Sequence, residues 1–349
     1  MRVKTGALRA RLPAFAAAAI ISAAALVTGR AQAQTMMRIA DYVPATHWLT
    51  VQGMVPFMEE VTKETNGALK FQHFPAQQLG KAPDMLRLAQ TGVAQISQTG
   101  ISFAGDAIEL SDVTQLAGLW DKACDGLAAY TKLVDAKGPL VQQDFDRNGV
   151  HLLWMNVLPP FQVWTRDKPI TSLADMKGLK ALSPTRAGEL LLAKMGATPM
   201  KLSSGPQAYE SIQRGVADAV VFQAESIFAY DMTKLTKHFV RNSNFGGQLV
   251  AVVMNNGVWN GLDQKTKDIV TAAAKHRQEH MCAYLDDGLP KAHVRLVENG
   301  ETAAEFNAAD LKTIAQMSND LAEEWAKSLD AKGKPGTQVL NDFKAALKK

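Results

Sequence analysis

Hydrophobic positions along this chain change rhythm several times, and each change marks an element. One unbroken apolar run, Ala14 to Val27, stands near the start. Met37-Arg38-Ile39-Ala40 then reads as a short strand, and a turn follows at Pro44. Apolar Trp48, Val51, Val55, Phe57 and Val61 recur in a helical stretch from about His47 to Glu64, where Asn66-Gly67 stops the pattern. Leu69 to Phe74 alternates as a strand does, and Leu79-Gly80 opens a loop before a helix from about Pro83 to Thr91. Strand, helix, strand, helix in this order predicts a parallel α/β lobe.

An internal echo extends that picture. Gln90-Thr91-Gly92-Val93-Ala94-Gln95 returns 123 residues later as Gln213-Arg214-Gly215-Val216-Ala217-Asp218. Both copies follow a helical segment, and both lead into a short apolar run. A glycine that ends a helix in the left-handed region and turns the chain at once into a strand explains each copy, and two similarly built lobes follow. Between them, Asp121 to Phe145 reads as one long helix. His151 to Val157, ending at Pro159-Pro160, is an apolar strand where the chain would cross to the second lobe, and Gln248 to Met254 would cross back. Helices to about Tyr284 and from Ala309 to Asp330 come next, then a break at Gly333-Lys334-Pro335-Gly336 and a Lys-rich end read as solvated surface. The expected division is a lobe over 34–155, a second over 156–250, and C-terminal helices over 251–349 that brace both.

Charge changes the reading of the start. Arg2, Lys4, Arg9 and Arg11 precede the apolar run, which leads to Ala31-Gln32-Ala33, the pattern of a cleaved export signal. Fourteen residues rise only about 21 Å as a helix, against a bilayer core of roughly 30 Å, so an export signal over residues 1–33 is expected, with a periplasmic mature protein. Five of the 38 Lys and Arg lie in that segment and no Asp or Glu does, which leaves 33 basic against 34 acidic residues. The mature chain is near neutral, and a nucleic-acid partner loses its compositional support. Cys124 and Cys282 form no CxxC pair; an oxidising compartment would permit them to bond, but the reading favours each as a small buried apolar side chain.

No GxSxG, HExxH, Walker loop or supported GxGxxG is present. The seven His are scattered, and His276 and His280, at i and i+4, lack the glutamate of a zincin between them. No enzyme, cofactor or metal is expected.

Ile170-Thr171-Ser172-Leu173-Ala174-Asp175-Met176-Lys177-Gly178-Leu179-Lys180 resembles the segment that introduces the second lobe in DctP-type solute receptors of tripartite ATP-independent periplasmic (TRAP) transporters. Gly196-Ala197-Thr198-Pro199-Met200 and Tyr209 to Asp218 are similar to later motifs of that family, as are Gln78-Leu79-Gly80 and Asn255 to Leu262. The resemblance implies a two-lobed periplasmic-binding-protein fold of α/β class, a hinge, and an interlobe cleft that captures a small organic solute for the membrane subunits of a transporter. A sensor docking on a receptor kinase is a rival reading, and an exported hydrolase a weaker one.

Two departures from the family pattern concern the ligand. The family's arginine, which grips a carboxylate as a planar bidentate partner, is replaced by Leu182, and a polar position is replaced by Phe222. An aromatic or hydrophobic solute, with a single carboxylate at most, suits such a pocket, unless Arg186 reaches in to compensate; Arg166 is a further possibility. Phe103, Trp120, Trp154, Phe161 and Trp164 are expected to supply stacking surface, and Gln98, Thr99, Gln162 and Gln223 amide and hydroxyl contacts. The expected ligand set is thus Gln98, Phe103, Trp154, Phe161, Gln162, Trp164, Leu182, Arg186, Phe222 and Gln223.

Overall fold

The structure, a computed structural model, describes residues 1–2 and 34–348; the expected export signal and its cleavage site therefore lie outside the described residues. Eleven strands follow in chain order: β1 (Thr35–Ala40), β2 (Leu69–Phe74), β3 (Ile96–Gly100), β4 (Val150–Val157), β5 (Gln162–Thr165), β6 (Lys180–Ser183), β7 (Thr198–Lys201), β8 (Ala219–Phe222), β9 (His238–Val240), β10 (Leu249–Asn255) and β11 (Thr302–Ala304). The helices are α1 (Val55–Glu64), α2 (Met85–Gln90), α3 (Ala123–Asp135), α4 (Pro139–Val141), α5 (Arg186–Lys194), α6 (Gly205–Gln213), α7 (Ala224–Ala229), α8 (Asn256–Gly261), α9 (Gln264–Glu298), α10 (Ala308–Ala331) and α11 (Gly336–Leu347).

The strands form two sheets, one per lobe. The first has the order β2-β1-β3-β10-β4 and the second β11-β9-β5-β8-β6-β7. Neither is wholly parallel, as the strand-helix alternation alone predicted: β10 runs antiparallel to both β3 and β4, and β5 antiparallel to β8 and β9. These are the strands at which the chain changes lobes, so each enters its sheet from the far side.

The apolar runs explain why both sheets are covered on both faces. In β10, Ala251 and Val253 join the cluster under α3 and α11, while Val252 and Met254 join the opposite cluster under α1 and α9. A strand buried on both sides reads as a continuous hydrophobic run, and Leu249 to Met254 is one. In the second sheet Ala219 and Val221 face one core, and Val220 and Phe222 the other.

The echoed glycines do what the sequence assigned them. Gly92 (φ 71°) closes α2 and Gly215 (φ 68°) closes α6, each shortly before a strand, β3 and β8. Four other expectations are corrected. The helix over 121–145 is broken, because Pro139 has no N–H to continue α3 and Lys137 adopts φ 47°. The stretch from His47 begins with a π-helical turn, Leu49–Met54, before α1. Cys124 and Cys282 are not separate apolar residues but a disulfide, which ties the start of α3 to the middle of α9 across 158 residues of sequence. The Lys-rich end is also not all solvated: Lys332 and Lys334 reach Glu109 Oε1 and Oε2 at 2.5 and 2.6 Å, where the folded chain offers a partly buried carboxylate.

The chain passes between the sheets at Leu158-Pro159-Pro160-Phe161 and at Phe245-Gly246-Gly247-Gln248. Leu158 N–H donates to the Gln248 carbonyl at 2.9 Å, holding the two passages together. Gly246 is required there: at φ 73°, a Cβ would lie 2.0 Å from the Gln115 carbonyl oxygen.

Candidate functional site

In an open α/β sheet, ligands bind beyond the carboxyl ends of the parallel strands. Here those ends face each other across the lobes and enclose a cavity. Tyr42 and Val43 follow β1, Phe103 follows β3, Pro184 follows β6, Leu202 and Ser204 follow β7, and Phe222 and Gln223 end β8. Leu158 and Gln248, from the interlobe passages, complete the wall with His47, Leu49, Gly205, Ser226 and Tyr230.

Aromatic rings dominate. Phe222 stacks on Tyr230 with centroids 6.0 Å apart, the His47 and Tyr230 rings lie 5.4 Å apart, and Phe103 meets Tyr42 edge-on at 5.6 Å. Tyr230 can occupy its place only because residue 205 is glycine; a Cβ there would sit 2.2 Å from the ring. Such rings present flat faces to a planar solute and polar tips that can orient it.

The polar tips are neutral. Burial drives the His47 pKa down to about 3, so the imidazole is uncharged at neutral pH. Its Nδ1 accepts the Leu49 N–H at 3.2 Å, which leaves the hydrogen on Nε2. Burial first, then the neighbouring Tyr230 and Asp41, push the Tyr42 hydroxyl pKa up, and burial followed by Asp41 does the same for Tyr230. Gln223 Nε2 donates to Ser226 Oγ at 2.7 Å, while its Oε1 is buried without a partner. Gln248 Nε2 donates to Ser102 Oγ at 2.7 Å.

Of the residues expected from sequence, Phe103, Phe222 and Gln223 line this cavity. Three others stand immediately behind it. Trp164 donates its Nε1 hydrogen to the Phe222 carbonyl at 2.8 Å, Phe161 packs edge-on against the Phe222 ring, and Gln98 donates to Asp41 Oδ1 at 2.8 Å next to Tyr42. The remaining four lie elsewhere. Trp154 is in the core of the first lobe, 4.7 Å from Phe57. Gln162 Nε2 donates to the Arg241 carbonyl and its Oε1 meets His293. Leu182 is buried among Trp164, Leu202 and Val220, on the face of β6 turned into the core. Arg186 begins α5 outside the cavity and pairs with Glu189 at 3.1 Å. Of the further candidates, Trp120 is core, Thr99 bonds Ser97, and Arg166 contacts Asp167. His276 and His280 go to separate partners, Glu60 and Gln52, and the described residues hold no metal-binding cluster.

Tyr42, His47, Ser204, Tyr230 and Gln248 escaped the sequence reading. Their common signal is position: each lies in a loop or turn outside the regular elements, and only the docking of the two sheets makes those loops one place.

Two lobes closing their strand ends over an aromatic, uncharged cavity define a solute receptor. Residues 39–328 match the profile of DctP, the bacterial extracellular solute-binding protein family 7, and the chain belongs to that family. It is similar to the C4-dicarboxylate-binding periplasmic protein DctP of Rhodobacter capsulatus, 24% identical over 281 residues, covering 78% of this chain and 82% of the relative. Among solved structures it resembles a marine metagenome TRAP solute-binding protein specific for aromatic acids, in complex with 3-hydroxybenzoate (TM-score 0.82, 21% identity, 90% of this chain and 98% of that one). A TRAP solute-binding protein from Rhodoferax ferrireducens, in complex with copurified benzoate, is equally close in shape (TM-score 0.82, 19% identity, 90% and 98% covered).

Proposed function

We propose that this chain is the solute receptor of a TRAP transporter and that it encloses a small aromatic molecule between Phe222, Tyr230, His47, Tyr42 and Phe103, for delivery to the membrane subunits. The observation that carries this reading is the cavity: it lies where both sheets present their strand ends, and flat rings wall it. The aromatic ligands of two solved structures with the same fold support it. Residues 34–155 with part of the C-terminal region, and 156–250, act as the closing bodies, moving about the passages at Leu158 to Phe161 and Phe245 to Gln248. The solute leaves unchanged, since the cavity holds no nucleophile and base within hydrogen-bond reach of each other.

Work in the periplasm, after removal of residues 1–33, accords with the Cys124–Cys282 disulfide, a bond that persists in oxidising compartments. N-terminal sequencing of the exported protein checks the removal. For the ligand, a thermal-shift screen should compare aromatic solutes with C4-dicarboxylates, because a ligand at 100 times its Kd adds about 2.7 kcal/mol to stability. Stabilisation by a ring compound is expected; stabilisation by succinate or malate alone would sink the aromatic assignment.

A further inference from the structure

The cavity says more about the solute than that it is flat. None of its lining residues is Lys, Arg, Asp or Glu. The position where the sequence suggested a lost guanidinium, Leu182, is core, and the arginine that might have compensated, Arg186, is spent on Glu189 in the outer cleft. Immediately behind Tyr42 lies the fully buried Asp41 carboxyl group, which accepts from Val43 N–H and Gln98 Nε2 on one oxygen and from Thr50 Oγ1 on the other, with His73 Nε2 3.1 Å away. An anion entering this space would leave water for a site with no cation and with a carboxyl group close by, so that only neutral donors would offset its desolvation.

Helix termini could substitute for a cation, but they are partly occupied here, which leaves the Gly205 N–H on α6 and the Ala224 and Glu225 N–H groups on α7. At the start of α6, Pro206 has no N–H, the Gln207 N–H is capped by Ser204 Oγ, and the Ala208 N–H is bonded to the Ser204 carbonyl. At α7, a helix of six residues, the N–H groups of Ser226 and Ile227 both go to the Gln223 carbonyl. A second observation points to a solute that can donate a hydrogen bond: Gln223 Oε1 is a buried acceptor with no partner. A carboxylate, an acceptor only, cannot satisfy it.

Resting on the aromatic reading above, we infer that the solute's polar end is uncharged: a carboxamide or hydroxyl carried on a ring, donating to Gln223 Oε1 and accepting from neutral donors such as His47 Nε2–H and the Tyr42 and Tyr230 hydroxyls. The receptor would then select against the ionised acids that share the same ring.

Matched pairs test this directly. Calorimetry at neutral pH with benzoate against benzamide, and phenylacetate against phenylacetamide, compares solutes of nearly one shape that differ in charge and in the ability to donate. The amide of each pair is expected to bind at least tenfold more tightly than its acid. An acid that binds as tightly as its amide, or more tightly, overturns the inference and leaves the aromatic assignment standing. If no ring compound binds, in these pairs or in the wider screen, both fall together.

Discussion

Two spaces lie between the same two lobes, and their chemistry is opposite. The inner cavity has no ionised side chain on its wall, whereas the outer cleft is lined by Asp106, Glu109, Asp112, Arg186, Glu189 and Lys201 among others. Pro184 lines both. The charges of the outer cleft are largely committed to one another: Arg186 to Glu189, and Glu109 to Lys332 and Lys334. Charge near a binding site is therefore a poor guide to the charge of the ligand. What counts is whether a side chain reaches past the boundary with a free donor, and here the shared wall is at Pro184.

The largest expected effect comes from forcing charge inward. Leu182→Arg would place a guanidinium in an apolar cluster against Trp164 and Val220, and should cost roughly 4 kcal/mol or more of stability, read by denaturant unfolding. Wild-type stability with new affinity for carboxylates would mean that residue 182 reaches the cavity after all.

A buried carboxyl group outside both spaces makes the next test. Glu225, on α7, has both carboxyl oxygens without a partner, and burial, with a smaller contribution from Asp286, raises its pKa to about 7. A carboxyl whose folded pKa exceeds its unfolded value binds its proton more tightly when folded, so it destabilises progressively as pH rises from about 4.5 to 7. Glu225→Gln should therefore stabilise the protein by about 3 kcal/mol at pH 8, with the gain fading towards pH 4.5. A difference that does not vary with pH would show that the carboxyl is not buried as described.

Smaller effects separate the two spaces further. Tyr230→Phe keeps the ring stacked on Phe222 and removes only the hydroxyl, so affinity for the solute should fall about tenfold, close to 1.4 kcal/mol, with thermal stability nearly unchanged. Arg186→Ala should do least: its side chain is exposed and its ion pair with Glu189 is of the surface kind, so both stability and affinity should stay within about 0.5 kcal/mol of wild type. A large loss of affinity in that variant would carry the outer charges into the site and erase the contrast.

Much of the architecture is legible in the sequence. Local rules decide where Gly92 and Gly215 end helices and where β1, β2, β4 and β10 run, because hydrophobic period and left-handed glycines act over a few residues. The family motifs around Gly178 and Tyr209 to Asp218 carried the two-lobed fold in the same way. Phe222 and Gln223 could be placed in the site because they end a strand whose neighbours the motif had already identified.

Tertiary structure decided the rest. The break at Pro139, the antiparallel entry of β5 and β10, and the bond between Cys124 and Cys282 depend on partners far away in the chain. So does the division of the aromatic residues into Trp154 and Trp164, which fill cores, and Tyr42 and Tyr230, which face the cavity. A sequence determines which side chains are apolar and which turns they can make; whether a given ring is packed against its own lobe or meets one from the other is fixed only when the two sheets bring their strand ends together.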